Sequence, residues 1–220
     1  MAHLALYIGL KGTAKELGLR TTNLWIYSDE NHDKNLSSFL NTENQKLPVV
    51  YISFPSAKDP SWQDNYPGKS TIEIIAPVSY DWFKKWEGTK WQKRGTEYNA
   101  YKKEMSDILL GYLFQKHPNL RDKIDYVELS TPLSTAHFSN YHQGQIYGIN
   151  HTPDRFKEKW LRANTPIKNL YLTGQDIVTC GVGGALCAGV LTAIATLGLF
   201  HGFSLVKLMI PTRSRKLGQM

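Results

Sequence analysis

Cysteine is scarce in this chain: two in 220 residues, Cys180 and Cys187, both within one glycine-rich stretch. Two thiols at that spacing make neither a disulfide framework, nor a four-cysteine metal site, nor a C-x-x-C redox pair. The pattern points to a reducing, cytoplasmic compartment, with packing at the helix as the role of both thiols. Residues Met1-Ala2-His3-Leu4 lack the basic flank and long apolar stretch of a secretory signal, and the chain starts directly in a strand-like run. Internal repeats, low-complexity tracts and the nucleophile-elbow pattern of serine hydrolases are also lacking. At 41% apolar and 20% charged residues, the composition excludes a disordered chain. His137, His142 and His151 do not fall at the i,i+4 spacing of a helical zinc pair, and no cysteine or carboxylate cluster completes them. No metal site is assigned, and His137 is read as a substrate-side or core group.

What the chain does have is length for a substantial core and a net charge of +7. That charge favours an anionic partner and does not choose among an acidic cofactor, an anionic membrane and nucleic acid. The segment "DWFKKWEGTKWQKRGTEYNAYKK", residues 81–103, interleaves bases with aromatic rings, as single-strand nucleic-acid sites do. Lys84, Lys85, Lys102 and Lys103 equally suit the solvated faces of two amphipathic helices with buried aromatic faces. The solvated face is the preferred reading, and no nucleic-acid partner is assigned.

Four runs read as strands: "HLALYIGL" with Leu4, Leu6 and Ile8 alternating, "NLWIY", "LPVVYISF", and "STIEIIAPV" ending at Pro77. The turn-rich stretch over 55–70 reads as the loop of a hairpin-like connection. From Thr96 to His117 the period becomes helical, with Tyr98, Tyr101, Met105, Ile108, Leu109, Tyr112 and Leu113 on one face. A strand over "KIDYVELSTP" follows, then a short helix capped by Thr131 or Ser134, and a turn-rich region without a clear period over 137–156. A strand at Leu170 to Thr173 and a helix from about Val182 to Leu199 complete the pattern. That last helix is apolar enough to be read as buried all round.

The stretch "NLYLTGQDIVTCGVGGALCAGVLTA", residues 169–193, is therefore a strand, a glycine-rich turn and a helix. Small residues at Gly181, Gly183, Gly184 and Ala185 let a backbone approach a ligand, and the amides at a helix start favour anionic or electron-rich atoms. Asp176 can accept hydrogen bonds from ribityl or ribose hydroxyls. Close packing of a helix on a sheet explains the same glycines, and spacing alone does not separate the two readings.

The residues themselves do more. "NLYLTGQD" followed by "GVGGAL" resembles the C-terminal flavin-contacting motif of FAD-dependent oxidoreductases of the phytoene desaturase, carotenoid isomerase and retinol saturase family. "YIGLKG" near the start, "TPLSTAHF" at 131–138 and "GQIYGI" at 144–149 match in register. The resemblance covers nearly all the chain except its tail. It implies an α/β (or α+β) fold: a mixed-sheet substrate domain with a long helix over 1–130, and over 131–199 the C-terminal strand and helix of a Rossmann-like FAD-binding domain. It implies FAD as cofactor, with Gly174 and Asp176 beside the ribityl-pyrophosphate part. Val182, Gly183, Gly184 and Ala185 would lie at the pyrimidine edge of the flavin, and His137, Tyr147 and Gly148 on the substrate side. The family's amino-terminal strand and G-x-G-x-x-G turn have no counterpart in this sequence. The chain thus resembles the C-terminal half of a family member, with the remainder supplied as a separate N-terminal half or missing from a truncated, non-catalytic product.

The implied activity is hydride transfer between flavin and a carbon–carbon double bond of an apolar isoprenoid, carotenoid or retinoid-like polyene. No side chain is assigned as a catalytic acid or base. Residues 200–220 combine Phe203, Leu205, Leu208, Met209 and Ile210 with Lys207, Arg213, Arg215 and Lys216. Such a tail suits an anionic membrane surface, which makes a peripheral membrane or interaction module the alternative reading.

Overall fold

Side chains two apart in an extended chain share a face, so the alternation of Leu4, Leu6, Ile8 and Leu10 fixes one apolar row. These four are each 2% exposed or less on strand β1, Ala2–Lys11. A computed structural model describes residues 1–42 and 46–198 together with 201, 202, 204 and 207. The chain divides into two units, Met1–Ile146 and Tyr147–Met220.

The first unit is built on a five-stranded sheet of β1, β2 (Leu24–Tyr27), β3 (Val49–Ser53), β4 (Lys69–Val78) and β5 (Ile124–Ser130), in the order β2-β3-β4-β1-β5. β1 runs in register against β4 from Ala2↔Val78 to Lys11↔Lys69. On its other side it pairs with β5 from Ala5↔Ser130 to Leu10↔Ile124, with a register shift at Gly9/Leu10. Each of these ladders is antiparallel, so the sheet is not mixed as expected. Parallel neighbours need long crossovers that return the chain to the same end, whereas antiparallel neighbours do not. The fold stays within the expected α/β (or α+β) class. Pro77 does not close β4, which continues to Val78 opposite Ala2. The ladder with β3 ends at Ile75, so Pro77 has a pairing strand on one side only, an edge-like setting that tolerates a missing N–H.

One face of the sheet carries the core. Ile72, Ile74, Ala76 and Val78 of β4 and Val50 and Ile52 of β3 join the β1 row, all essentially buried. Helix α4, Gly95–Lys116, packs Leu109 and Leu113 against this layer with no exposure at all. A 3-10 turn at Tyr80–Trp86 adds Phe83 and Trp86, whose rings meet Tyr98 and Tyr101 of α4 at 5.2–5.5 Å. Lys84, Lys85 and Lys103 point into solvent, and Lys102 pairs with Glu128 at 2.5 Å.

Several helices fill segments whose polar sequence reads as connection. α1, His32–Asn41, lies between β2 and β3 and turns Phe39 into the core against Trp82. The expected loop after β3 contains α2, Pro55–Lys58, and α3, Trp62–Asn65; Pro55 sits in the first turn of α2, where a missing N–H loses no helical bond. After β5, Thr131 and Ser134 form the reciprocal capping box of α5, Pro132–Ser139, as their spacing predicts.

The second unit carries α6, Pro153–Lys157, a 3-10 turn at Gln175–Ile177, and α7, Val182–Leu197. The strand expected at Leu170 to Thr173 is a single antiparallel bridge, Asn164↔Tyr171, with the Leu172 N–H donating to Ala163 O at 2.9 Å. A strand extends only as far as a partner does, and this partner is short. Among the described residues no helix is long and apolar enough to cross a membrane. Apart from residues 201, 202, 204 and 207, the tail to which membrane docking was assigned lies outside the described residues.

Two predictions follow from this packing. Leu113→Ala removes a fully buried side chain from the seam between α4 and the sheet, and is expected to lower the stability measured by urea unfolding by about 2–5 kcal/mol. His3 is half-buried and its Nδ1 has no hydrogen-bond partner among the described residues; burial pushes the imidazole below its ordinary value. Burial acts on His117 in the same direction, with Arg20 adding to it. The unfolded chain then binds these protons more readily than the folded one. Stability is therefore complete above the ordinary imidazole value of about 6.5 and falls as pH drops below it. The urea midpoint should decrease from about pH 7 to about pH 5, and less steeply in His3→Leu, with His117 supplying the remainder.

Candidate functional site

α7 begins where Gly181, at φ +94°, breaks the extended chain, and the Ala185 N–H closes the first turn on Gly181 O at 3.0 Å. The first amides of a helix have no partner within it and carry its partial positive charge. No side chain caps this end among the described residues, and the first turn holds no acidic residue. Val182 is 88% exposed, and Gly183 and Ala185 are exposed beside it. Gly184 is buried, because a Cβ there would stand 1.9 Å from Thr179 O. The glycines thus serve two ends: Gly184 lets the helix approach the preceding loop, and Gly183 leaves the helix start open.

The loop before α7 is held by a buried cation. Arg155 of α6 is 6% exposed. Its guanidinium donates to the carbonyls of Ile149 at 3.1 Å and of Gln175 and Asp176 at 2.9 Å each, and to His151 Nε2 at 2.7 Å. The Cys180 N–H donates to the same Nε2 at 2.9 Å. A guanidinium and a backbone amide can only donate, so Nε2 is the acceptor of both and carries no proton. A buried charge is tolerated when every donor finds an acceptor, and here carbonyls rather than a carboxylate supply them. Asp176 adds a further tie, its Oδ1 accepting from the Ile149 N–H at 2.9 Å. Gly148, at φ +65°, lies so close that a Cβ would be 1.9 Å from that oxygen. Residues 148–151 and 174–181 are fastened together as one piece.

Gly174, Asp176, Val182, Gly183, Gly184 and Ala185, expected at the cofactor, share this turn and helix start. Gly148 touches Asp176, and Tyr147, half exposed, is its neighbour. His137 belongs to the other unit: on α5 it stacks on Trp91 with 5.7 Å between ring centroids and an 8° tilt. Cys180 is half-buried, while Cys187 is exposed rather than packed. α7 departs most from expectation. Instead of being buried all round it exposes Val182, Leu186, Leu191 and Leu197, and only Gly184 and Ala188 are buried. The residues it meets lie on one side: Thr192 donates to Leu172 O at 2.8 Å, and Ile194 and Ala195 border a cavity with Leu161 and Ala163. Sequence reasoning missed Arg155 and the acceptor role of His151. Thr152-Pro153 signals a helix start there, but Arg155 is buried by backbone carbonyls, which no side-chain pattern encodes.

No family model matches the chain. Curated relatives do. An all-trans-retinol 13,14-reductase of Danio rerio is 39% identical over 86% of this chain and 32% of its own length. That of Rattus norvegicus is 36% identical over 90% of this chain and 34% of its own. A Danio rerio protein named inactive all-trans-retinol 13,14-reductase is 34% identical over 85% of this chain and 32% of its own. The chain spans about a third of the length of these relatives, rather than the half expected. With a match of this extent along its own length, the chain belongs, as one part, to the retinol saturase family.

Proposed function

We propose that this chain is the carboxyl-terminal part of an FAD-dependent oxidoreductase acting on a carbon–carbon double bond of an apolar, retinoid- or carotenoid-like polyene. The observation that carries the reading is the start of α7: uncapped, free of acidic residues, lined by small side chains and exposed at Val182 and Gly183. Such an end fits an electron-rich or anionic group. Kinship with proteins named as reductases of a retinol double bond supports the substrate class.

Bound flavin would supply the hydride exchanged with the double bond. This chain's residues bind and orient. The amides from Val182 to Ala185 favour negative charge at the ring edge. Gly174 and Asp176 lie by the ribityl-pyrophosphate part, with Asp176 steadied by the Ile149 N–H and its backbone carbonyl held by Arg155. Tyr147, Gly148 and His137 serve the substrate side. The rest of the cofactor site comes from a polypeptide stretch corresponding to the two thirds of the relatives' length outside the match. The exposed apolar residues of α7 are the surface it covers. A second reading is a non-catalytic fragment, and a relative named inactive shares a similar stretch with the chain.

Mixed with a polypeptide carrying the remaining two thirds of a retinol saturase relative, the chain is expected to retain FAD through gel filtration. Gly183→Glu separates binding from folding. A Cβ at Gly183 meets nothing within 4 Å, and a carboxylate in the first turn suits the helix itself. Placed at the ring edge, the same charge should weaken retention about tenfold, or about 1.4 kcal/mol. FAD running free of the mixture, or unchanged retention by Gly183→Glu, contradicts the proposal.

The basic, apolar tail extends the reading to peripheral docking of an otherwise cytoplasmic protein on an anionic membrane. Deleting residues 200–220 should abolish sedimentation with anionic liposomes, and retained sedimentation would remove the tail from the proposal.

A further inference from the structure

The unit Met1–Ile146 contains a cavity of about 570 Å³, within the size range of small-molecule sites, at the edge of the sheet beside the start of α4. Four aromatic rings open onto it, Tyr7, Trp91, Tyr126 and Phe138, each more than 40% exposed. Rings gathered in this way around one concavity are a surface for an apolar body.

The charge in the wall is unbalanced. Lys102 is neutralised by Glu128 at 2.5 Å. Arg94, which also lines the cavity, has no carboxylate within 4.0 Å among the described residues. It rests over the Tyr98 ring at 5.2 Å, and its Nη2 reaches Leu133 O at only 3.4 Å. Its Nε is buried with no hydrogen-bond partner among the described residues. An orphaned donor on a charged group is costly, and this one belongs to a side chain that lines the cavity. Nε and Nη2 form one edge of the guanidinium fork, the edge that pairs a planar carboxylate with two parallel hydrogen bonds. Arg94 also stands at the N-cap of α4, whose positive end adds to the field.

We propose that this cavity binds a small amphiphile with an extended apolar body and one carboxylate end, the rings holding the body and Arg94 the carboxylate. Every residue it uses lies in the first unit, as does His137, which stacks on Trp91 and is assigned to the substrate side; the residues assigned to the flavin lie in the second unit.

Trp91 in the wall supplies the signal. Linolenate, below its micelle concentration, should quench tryptophan fluorescence of the full chain saturably, and this component should vanish in Trp91→Phe. The methyl ester should bind about tenfold more weakly than the acid, and Arg94→Gln should remove that preference. Should Arg94→Gln fail to fold, the Arg94 Nε–H resonance of the unaltered chain is the deciding measurement, and it should shift with linolenate and not with the ester. Equal affinity for acid and ester, an unmoved resonance, no saturable quenching, or quenching seen only with anionic vesicles would each overturn the proposal.

Discussion

β1 is hydrogen-bonded along both edges, and the first unit is arranged around that fact. A strand paired on both sides cannot slip by one residue without sending every side chain to the opposite face. With Leu4, Leu6, Ile8 and Leu10 committed to the core, the registers of β4 and β5 are committed too. Ile72, Ile74, Ala76 and Leu129 then share the same face, and α4 has a continuous apolar floor for Leu109 and Leu113. The aromatic seam between the Tyr80–Trp86 turn and α4 is built on this floor rather than beside it.

That dependence explains which features the sequence discloses. β1 and β4 show strong alternation because one face is dry, and α4 shows a helical period because it lies on that face. Its boundaries, Gly95–Lys116, fall within a residue of those read from the pattern. Ile108 is the exception on the expected face, at 42% exposed. α1 stayed hidden because Phe39 alone is buried on it, and one anchor in ten residues sets no period. Capping was legible at α5, where Thr131 and Ser134 act on their own backbone neighbours. Chemistry confined to three or four residues can be read from a list; contacts with distant carbonyls cannot.

The second unit illustrates the distant case. Its turn was legible as glycines and an aspartate, but what fixes the turn is Arg155, an ordinary surface residue by type. Burying it requires the carbonyls of Ile149, Gln175 and Asp176 to converge, and their convergence in turn dictates the path of the loop before α7. His151 takes part for the same reason: it accepts from the cation and from the Cys180 amide. Removing His151 leaves the Arg155 guanidinium and the Cys180 amide short of an acceptor, and a buried donor left unmet costs more than a typical net hydrogen bond contributes. Gly148 is a consequence of this packing, since Asp176 occupies the space a side chain would need.

α7 poses the remaining physical problem. A helix apolar on nearly every face is stable in water only when covered, since each exposed leucine forgoes roughly 1.5–3 kcal/mol of burial. Val182, Leu186, Leu191 and Leu197 together forgo several times that amount, comparable with the whole stability of a small domain. The expectation of a helix buried all round is met only on the side of Gly184 and Ala188. The curated relatives are three times as long as the stretch they share with this chain. The same point bears on activity. A relative named inactive matches nearly as much of the chain as those named as reductases. A shared stretch of this kind does not by itself separate the two.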